Sequence, residues 1–213
     1  DRSRRAARGS IMKMYDFTLA PSPRRVRIFL AEKGIELELV QVDIMRNANR
    51  TPEFYEKNPL GSLPILELDD GSCLSESVAI CRYFEEVQPE PPLFGVGARE
   101  KAIVEMWNRR IELEIFAPVG HVWSHLSKVA EGRGRRIPEF GEIQKRAAID
   151  RIAWLDSELK SREFIAGDRY SIADITTVCM IDFARTVDIR IQPEHTNLAR
   201  WHSNMSSRPS AKA

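Results

Sequence analysis

The chain has 213 residues, of which 43% are hydrophobic and 30% charged, a balance typical of a globular protein with a substantial core. Its 32 basic and 31 acidic residues leave a net charge of +1, which argues against nucleic acid or an anionic membrane as a partner. No apolar run approaches the ~18 residues that a membrane-spanning helix needs, so the sequence predicts a soluble protein.

The first half of the chain shows short strand patterns that alternate with helix patterns. Residues 1–11 are Arg-rich and aperiodic and precede Met12, which predicts a leader or a tag outside the fold. Strands are predicted at residues 14–19, 37–42, 65–68 and 72–74, and helices at residues 26–33, from Thr51 onward and from an opening at Ser75-Glu76-Ser77 through Phe84. Thr51 is the expected N-cap, with Pro52 at the first helical position. The predicted order at residues 12–87 is βαβαββα.

The second half is predicted to be helical. A linker at residues 88–97 is expected because Gln88-Pro89-Glu90-Pro91-Pro92 cannot form a helix. Apolar residues then step by four along one long predicted helix, at Ile103, Trp107, Ile111, Ile115 and Val119, and along another, at Ala148, Ile152, Leu155 and Leu159. The predicted fold class is therefore α/β followed by all-α, with the helical bundle at residues 98–213.

The most informative motif is Asn58-Pro59-Leu60-Gly61-Ser62-Leu63-Pro64, followed twelve residues after Pro64 by Glu76-Ser77. In this order and spacing the motif resembles the thioredoxin-like domain of cytosolic glutathione transferases. The resemblance implies a cis peptide bond before Pro64, which turns the backbone N–H and C=O of Leu63 toward the cysteinyl part of glutathione. It also implies that Glu76 pairs with the γ-glutamyl ammonium and that Ser77, at a helix N-terminus, binds the γ-glutamyl carboxylate.

Taken singly, these residues also have simpler interpretations. Leu63-Pro64 fits any turn, and Ser75 fits a plain N-cap. Arg50 precedes the motif and could reach the glycyl carboxylate of glutathione, but a solvated surface charge fits it equally well. The glutathione-binding residues predicted from the resemblance are Ser22, Arg50, Leu63, Pro64, Glu76 and Ser77.

A second signature, at residues 164–175, resembles the buried capping box of the same family. Ser171 is expected to cap the N–H of Asp174, and the Asp174 carboxylate is expected to accept a hydrogen bond from Ser171 in return. This motif is structural and does not indicate a substrate. The resemblance then covers residues 13–213, and it implies a cytoplasmic homodimer that uses glutathione as co-substrate and no metal.

The cysteines agree with a reducing compartment. They are odd in number and far apart in sequence, at Cys73, Cys81 and Cys179. This usage argues against a disulfide framework and against zinc.

The residue that lowers the pKa of the glutathione thiol is expected at the first strand-to-helix junction, where many family members carry Tyr, Ser or Cys. Ser22 is the candidate there, because a hydroxyl at a helix N-terminus can donate to a thiolate. A plain N-cap ahead of Pro23 fits Ser22 equally well. No cysteine stands at this junction, which argues against thiol–disulfide chemistry.

A competing catalytic site is predicted on the long helix, where Pro118 and Gly120 are expected to kink the chain just before His121. His121 and Ser127 have the spacing of a fungal and bacterial subgroup in which a His and a Ser hold a water beside the thiol. Two other interpretations stay open: His121 and His125 as metal ligands, although no third ligand accompanies them, and plain surface histidines. The predicted second-substrate pocket consists of Phe116, His121 and Trp123.

The resemblance predicts a glutathione transferase, in which the glutathione thiolate attacks an electrophilic, hydrophobic substrate. One alternative is a non-catalytic module of the same fold that carries ligands or docks a partner, because fold alone does not determine function. Another is a glutathione-dependent peroxidase.

Overall fold

The computed structural model describes residues 12–213, so the predicted leader at residues 1–11 lies outside the described part of the chain. The chain divides into two compact units, one that ends at Pro91 and one that runs from Pro92 to Lys212. This division falls inside the predicted linker. The architecture is the predicted one, a thioredoxin-like α/β unit followed by an all-helical unit. Within the described residues, no helix is both long and apolar enough to cross a membrane.

A four-stranded sheet forms the centre of the first unit. Its strands are β1 (Lys13–Asp16), β2 (Glu38–Gln41), β3 (Ile65–Glu67) and β4 (Cys73–Ser75). Their order is β2-β1-β3-β4, with β1 and β2 parallel and β3 antiparallel to both of its neighbours. Gly71 closes the predicted β3–β4 hairpin at φ 83°, a conformation that favours glycine. Strand β1 is shorter than predicted because a turn, in which Ala20 N–H bonds to Phe17 C=O, follows it.

Three α-helices complete the described part of this unit, α1 (Pro21–Lys33), α2 (Pro52–Lys57) and α3 (Ser77–Val87). Thr51 caps α2 as predicted, with its hydroxyl accepting from Phe54 N–H at 3.3 Å. Helix α1 begins earlier than predicted, because Ala20 is its N-cap and Pro21 occupies the first helical position, where a missing N–H is tolerated. The interpretation of Ser22 as an N-cap is therefore wrong, since Ser22 lies inside the first turn.

The second unit consists of helices α4 (Gly97–Ile111), α5 (Ala117–Leu126), α6 (Pro138–Glu158), α7 (Ile172–Ala184) and α8 (Thr196–Ser206). A π-helical turn at Glu112–Phe116 joins α4 to α5. The kink predicted just before His121 is therefore misplaced: the irregular turn lies before Pro118, and residues 117–126 are regular helix. Pro118 cannot donate to the carbonyl four residues earlier, and the wider turn accommodates this loss by bonding Ala117 N–H to Glu112 C=O.

The capping box forms at the start of α7 as predicted. Ser171 N–H donates to Asp174 Oδ2 at 3.0 Å, and both partners of the box are present. Two donors from distant segments reach the other carboxylate oxygen of Asp174: Ile165 N–H at 2.9 Å and Trp201 Nε1 at 3.0 Å. A single buried carboxylate thus ties α8 and the segment before α7 to the helix that it caps.

Candidate functional site

The loop that precedes β3 presents a free backbone edge. The Leu63–Pro64 bond is cis, as expected from the motif. Asn58 Nδ2 donates to Ser62 O at 2.9 Å and to Ser62 Oγ at 3.0 Å, which holds the loop in place. Within the described residues, neither the N–H nor the C=O of Leu63 has a hydrogen-bond partner. A fixed donor and acceptor are therefore available to an extended peptide.

Glu76 is held in a strained backbone conformation at the start of α3. It is the N-cap of this helix, at φ 69° and ψ 112°, so the alternative interpretation of Ser75 as the N-cap is wrong. A non-glycine residue in such a region costs on the order of 1–3 kcal/mol, and residues of this kind cluster at functional sites. The Glu76 side chain is exposed, and its carboxylate has no partner within the described part of the chain. It can pair with a ligand cation.

Ser77, the first residue of α3, is buried and bonded to a residue that sequence analysis missed. Arg25 Nη1 donates to Ser77 Oγ at 3.1 Å, and Arg25 is only 2% exposed. Arg25 is not among the predicted site residues, and a basic residue on a helix is usually solvated. The available signal was periodicity: Arg25 precedes Ile28 and Phe29 by three and four residues and so shares the buried face of α1.

Arg50 lies against the same loop. Its Nη1 donates to Tyr55 Oη at 3.1 Å. Gly61, at φ 63°, allows this packing, because a Cβ there would lie 2.9 Å from Tyr55 Cε1 and 3.0 Å from Arg50 Nη1. Arg50 remains exposed, so its guanidinium is available for a ligand carboxylate.

Ser22 carries the free polar groups of the first turn of α1. Pro21 and Pro23 have no N–H, and Arg24 N–H bonds to Ala20 C=O at 3.2 Å. Ser22 is half-buried, and its hydroxyl has no hydrogen-bond partner within the described residues. The hydroxyl and backbone N–H of Ser22 are therefore the hydrogen-bond donors in the first turn of α1 that can bind an anion.

The loop before Ser22 is fixed by a buried carboxylate. Asp16, which is 1% exposed, accepts from Gln41 Nε2 at 2.6 Å and pairs with Arg27 Nη1. Gln41 Oε1 in turn accepts from Thr18 N–H at 3.1 Å, and Arg27 Nη2 donates to Thr18 O at 2.9 Å. Both ends of the Thr18 peptide are therefore held, which limits the movement of the β1–α1 loop.

A charged cluster ties α2 to the sheet. Glu67 Oε2 accepts from Tyr15 Oη and from Lys57 Nζ, each at 2.7 Å. These two hydrogen bonds, led by that from Lys57, lower the pKa of Glu67 to about 2. Burial raises the pKa of the neighbouring Cys73 thiol, so Cys73 is not an activated nucleophile.

The competing pair on the helical unit is engaged within that unit. His121 Nδ1 lies 3.3 Å from Gln144 Oε1, and its ring lies 5.4 Å from that of Phe140. Ser127 is the C-cap of α5, and its hydroxyl accepts from Val129 N–H at 3.2 Å. No hydrogen bond joins His121 to Ser127.

The residues predicted to form the second-substrate pocket separate into two groups. Phe116 and Trp123 both lie against Phe183, at ring-centroid distances of 6.3 and 6.5 Å. His121 instead faces α6, where His125 also contacts Phe140, at 5.2 Å. In the part of the chain that the structure describes, no three His, Cys, Asp or Glu residues cluster in a way that could hold a metal ion.

Comparison with known proteins gives consistent matches over both units. Residues 10–86 match the family model for the glutathione S-transferase N-terminal domain, and residues 141–209 match the model for the C-terminal domain. Glutathione S-transferase 2 of Saccharomyces cerevisiae is 35% identical over 208 residues, which cover 94% of this chain and 88% of the relative.

A solved structure and a second relative extend the comparison. The structure of a glutathione S-transferase domain-containing protein from Marinobacter aquaeolei superposes with a TM-score of 0.90 at 37% identity, covering 93% of this chain and 98% of that one. Elongation factor 1-gamma 2 of rice, Oryza sativa, is 30% identical over 84% of this chain, a match that covers 42% of the rice protein.

Proposed function

Because the chain belongs to the glutathione S-transferase family, we propose that it conjugates the thiolate of glutathione to electrophilic, hydrophobic substrates. The observation that carries this proposal is the start of α3, where the exposed carboxylate of Glu76, which has no partner within the described residues, directly precedes the buried Ser77. Such a juxtaposition suits a zwitterionic amino-acid group, with the carboxylate for its ammonium and the helix N-terminus for its own carboxylate.

The remaining parts of glutathione have candidate partners in the same unit. The free N–H and C=O of Leu63, beside Pro64, suit the cysteinyl residue as a short strand pairing. The exposed guanidinium of Arg50 suits the glycyl carboxylate. Together with Glu76 and Ser77, these groups address all three residues of the tripeptide.

Ser22 is the proposed stabiliser of the thiolate. The glutathione thiol should have a pKa near that of cysteine, about 8.5, so only a few per cent is ionised at pH 7. The unpartnered hydroxyl and N–H of Ser22, at the positive end of α1, can donate to the sulfur and favour the ionised form. A depression of about two pKa units corresponds to about 2.7 kcal/mol.

The competing proposal is a water held by His121 and Ser127, and a titration separates the two. We expect the ultraviolet absorbance of the bound thiolate to show a pKa about one to two units higher in Ser22→Ala than in the unaltered protein, since one charge-directed hydrogen bond is lost. His121→Ala and Ser127→Ala serve as matched controls and should leave it within about 0.3 units. The reverse pattern would assign the role to His121 and Ser127.

A second candidate function, a ligand carrier or docking module, is favoured by the rice relative, which is named elongation factor 1-gamma 2. Turnover discriminates between the candidates. A transferase should conjugate glutathione to a model aryl halide, and a peroxidase should instead consume glutathione with an organic hydroperoxide. A protein that binds glutathione without lowering the pKa of its thiol, and without turnover, would support the module.

Three further features are proposed from the family. The second substrate would contact Phe116 and Trp123, which already lie together against Phe183. The protein would act as a homodimer in the cytoplasm. Size-exclusion chromatography with light scattering would test the homodimer.

A further inference from the structure

Arg25 and Ser77 form a buried pair beneath the start of α3. Arg25 is 2% exposed and Ser77 is 6% exposed, and Arg25 Nη1 lies 3.1 Å from Ser77 Oγ. A guanidinium has donors and no acceptor, so Ser77 Oγ must accept in this hydrogen bond. The hydroxyl proton of Ser77 is then left to donate to another group.

The position of Ser77 places this hydroxyl donor at the start of α3. Ser77 is the first residue of an 11-residue helix whose N-cap, Glu76, makes no side-chain capping hydrogen bond. The helix start therefore offers N–H groups, the positive end of a helix dipole and an oriented O–H together. The buried guanidinium adds a full positive charge behind them, where solvent screening is weak.

We propose that Arg25 is a positioning residue for glutathione: it orients the Ser77 hydroxyl as a donor and supplies the charge that favours the γ-glutamyl carboxylate at the start of α3. Arg25 acts through Ser77 and does not itself touch the ligand. The inference rests on the proposed function, because it assumes that glutathione binds at Glu76 and Ser77.

The test compares glutathione with its decarboxylated analogue, 4-aminobutanoyl-cysteinyl-glycine. The analogue keeps the ammonium, the thiol and the glycyl carboxylate and lacks only the γ-glutamyl carboxylate. Calorimetric dissociation constants for both ligands give a discrimination ratio for each protein variant. We expect the unaltered protein to bind glutathione about 10 to 100 times more tightly than the analogue, because the analogue cannot form the charge-assisted hydrogen bond of the missing carboxylate.

In Arg25→Met the discrimination ratio should fall to within about threefold of unity, because the carboxylate has lost its oriented donor and its charge. If Arg25 has only a structural role, Arg25→Met should weaken the binding of both ligands equally and leave the ratio unchanged, and this result would overturn the inference. If Arg25→Met shows no cooperative thermal transition and so does not fold, Arg25→Gln replaces it in the test. The discrimination ratio of Arg25→Gln should also fall.

Two controls sharpen the result. Arg46→Met removes a positive charge from a side chain of the same unit that is 88% exposed, and it should leave the ratio unchanged. In Ser77→Ala, adding Arg25→Met should weaken glutathione binding by a smaller factor than Arg25→Met does in the unaltered protein, since the positioned hydroxyl is already gone and only the charge of Arg25 is lost. Additive losses would show that Arg25 does not act through Ser77.

The outcomes also separate this inference from the proposed function. If the unaltered protein binds neither glutathione nor its analogue, the proposed function fails. If it binds glutathione and the ratio is the same in Arg25→Met, only the role of Arg25 fails.

Discussion

At the scale of single residues, the candidate site depends on a conformation that its side chain does not favour. Glu76 adopts φ 69° and ψ 112° at the N-cap of α3, while its exposed carboxylate has no hydrogen-bond or ion-pair partner within residues 12–213 that would stabilise this backbone. The strained backbone is explained if the Glu76 carboxylate binds a ligand, because selection for binding can retain a residue that destabilises the fold.

Replacing Glu76 tests this explanation. The free energy of unfolding should be about 1 kcal/mol larger for Glu76→Gly than for Glu76→Ala, because glycine has no Cβ to oppose the positive φ. Both variants lack the carboxylate, so both should bind glutathione at least about tenfold more weakly than the unaltered protein. Chemical denaturation and calorimetry give the two quantities. Equal stability of the glycine and alanine variants would show that the backbone at residue 76 is not strained.

At the scale of elements, two buried charged groups hold segments that are distant in sequence. Lys33 Nζ, at the end of α1, pairs with Glu85 Oε2 at 2.6 Å and donates to Gln88 O at 2.8 Å and to Pro91 O at 2.6 Å. Asp174 joins α7 to Ile165 and Trp201. Each group ties together the ends of elements.

Lys33 should be essential to the stability of the first unit. Lys33→Met removes the cation that lies 2.6 Å from the buried Glu85 carboxylate, so we expect the free energy of unfolding to fall by about 3–5 kcal/mol. The double variant Lys33→Met/Glu85→Leu should recover much of this loss, because the buried carboxylate is then removed together with its cation. Urea denaturation measures both values. A loss below about 1 kcal/mol in Lys33→Met would contradict a structural role for the pair.

Asp174 should make stability depend on pH. Burial raises its pKa from 3.8 to about 6, against the opposing effect of its hydrogen bonds. A carboxyl with a raised pKa in the folded state contributes stability that is fully present below about pH 4 and is lost as the pH rises through about 6. The difference in unfolding free energy between the unaltered protein and Asp174→Asn should therefore fall by about 2–3 kcal/mol between pH 4 and pH 7. A difference that is independent of pH would contradict the shifted pKa.

Local rules predicted some of these elements and missed others, for identifiable reasons. The N-cap at Thr51 and the capping box of α7 depend on residues within three positions of each other, so the sequence displays them. Helix α1 begins before the predicted residue 26, because Pro21 and Pro23, of a residue type that usually breaks a helix, are tolerated in its first turn. The π-helical turn before Pro118 had no local signal that fixes its position.

At the scale of the whole molecule, the order βαβαββα followed by helices was predictable because hydrophobic periodicity carries it. The glutathione-binding motif was recognisable because its residues lie close in sequence around Pro64 and Glu76. Arg25 and Trp201 were missed because their partners, Ser77 and Asp174, lie far from them in sequence. Long-range hydrogen bonds of this kind are set by packing.

The central claim is that the start of α3 binds the γ-glutamyl end of glutathione, and isothermal titration calorimetry of glutathione tests it most directly. The titration of the unaltered protein should show binding heat at a single site per chain. Ser77→Ala should raise the dissociation constant by about 10- to 100-fold without markedly lowering the temperature of the thermal unfolding transition. Binding of equal strength in both proteins, or no heat in the unaltered protein, would contradict the claim.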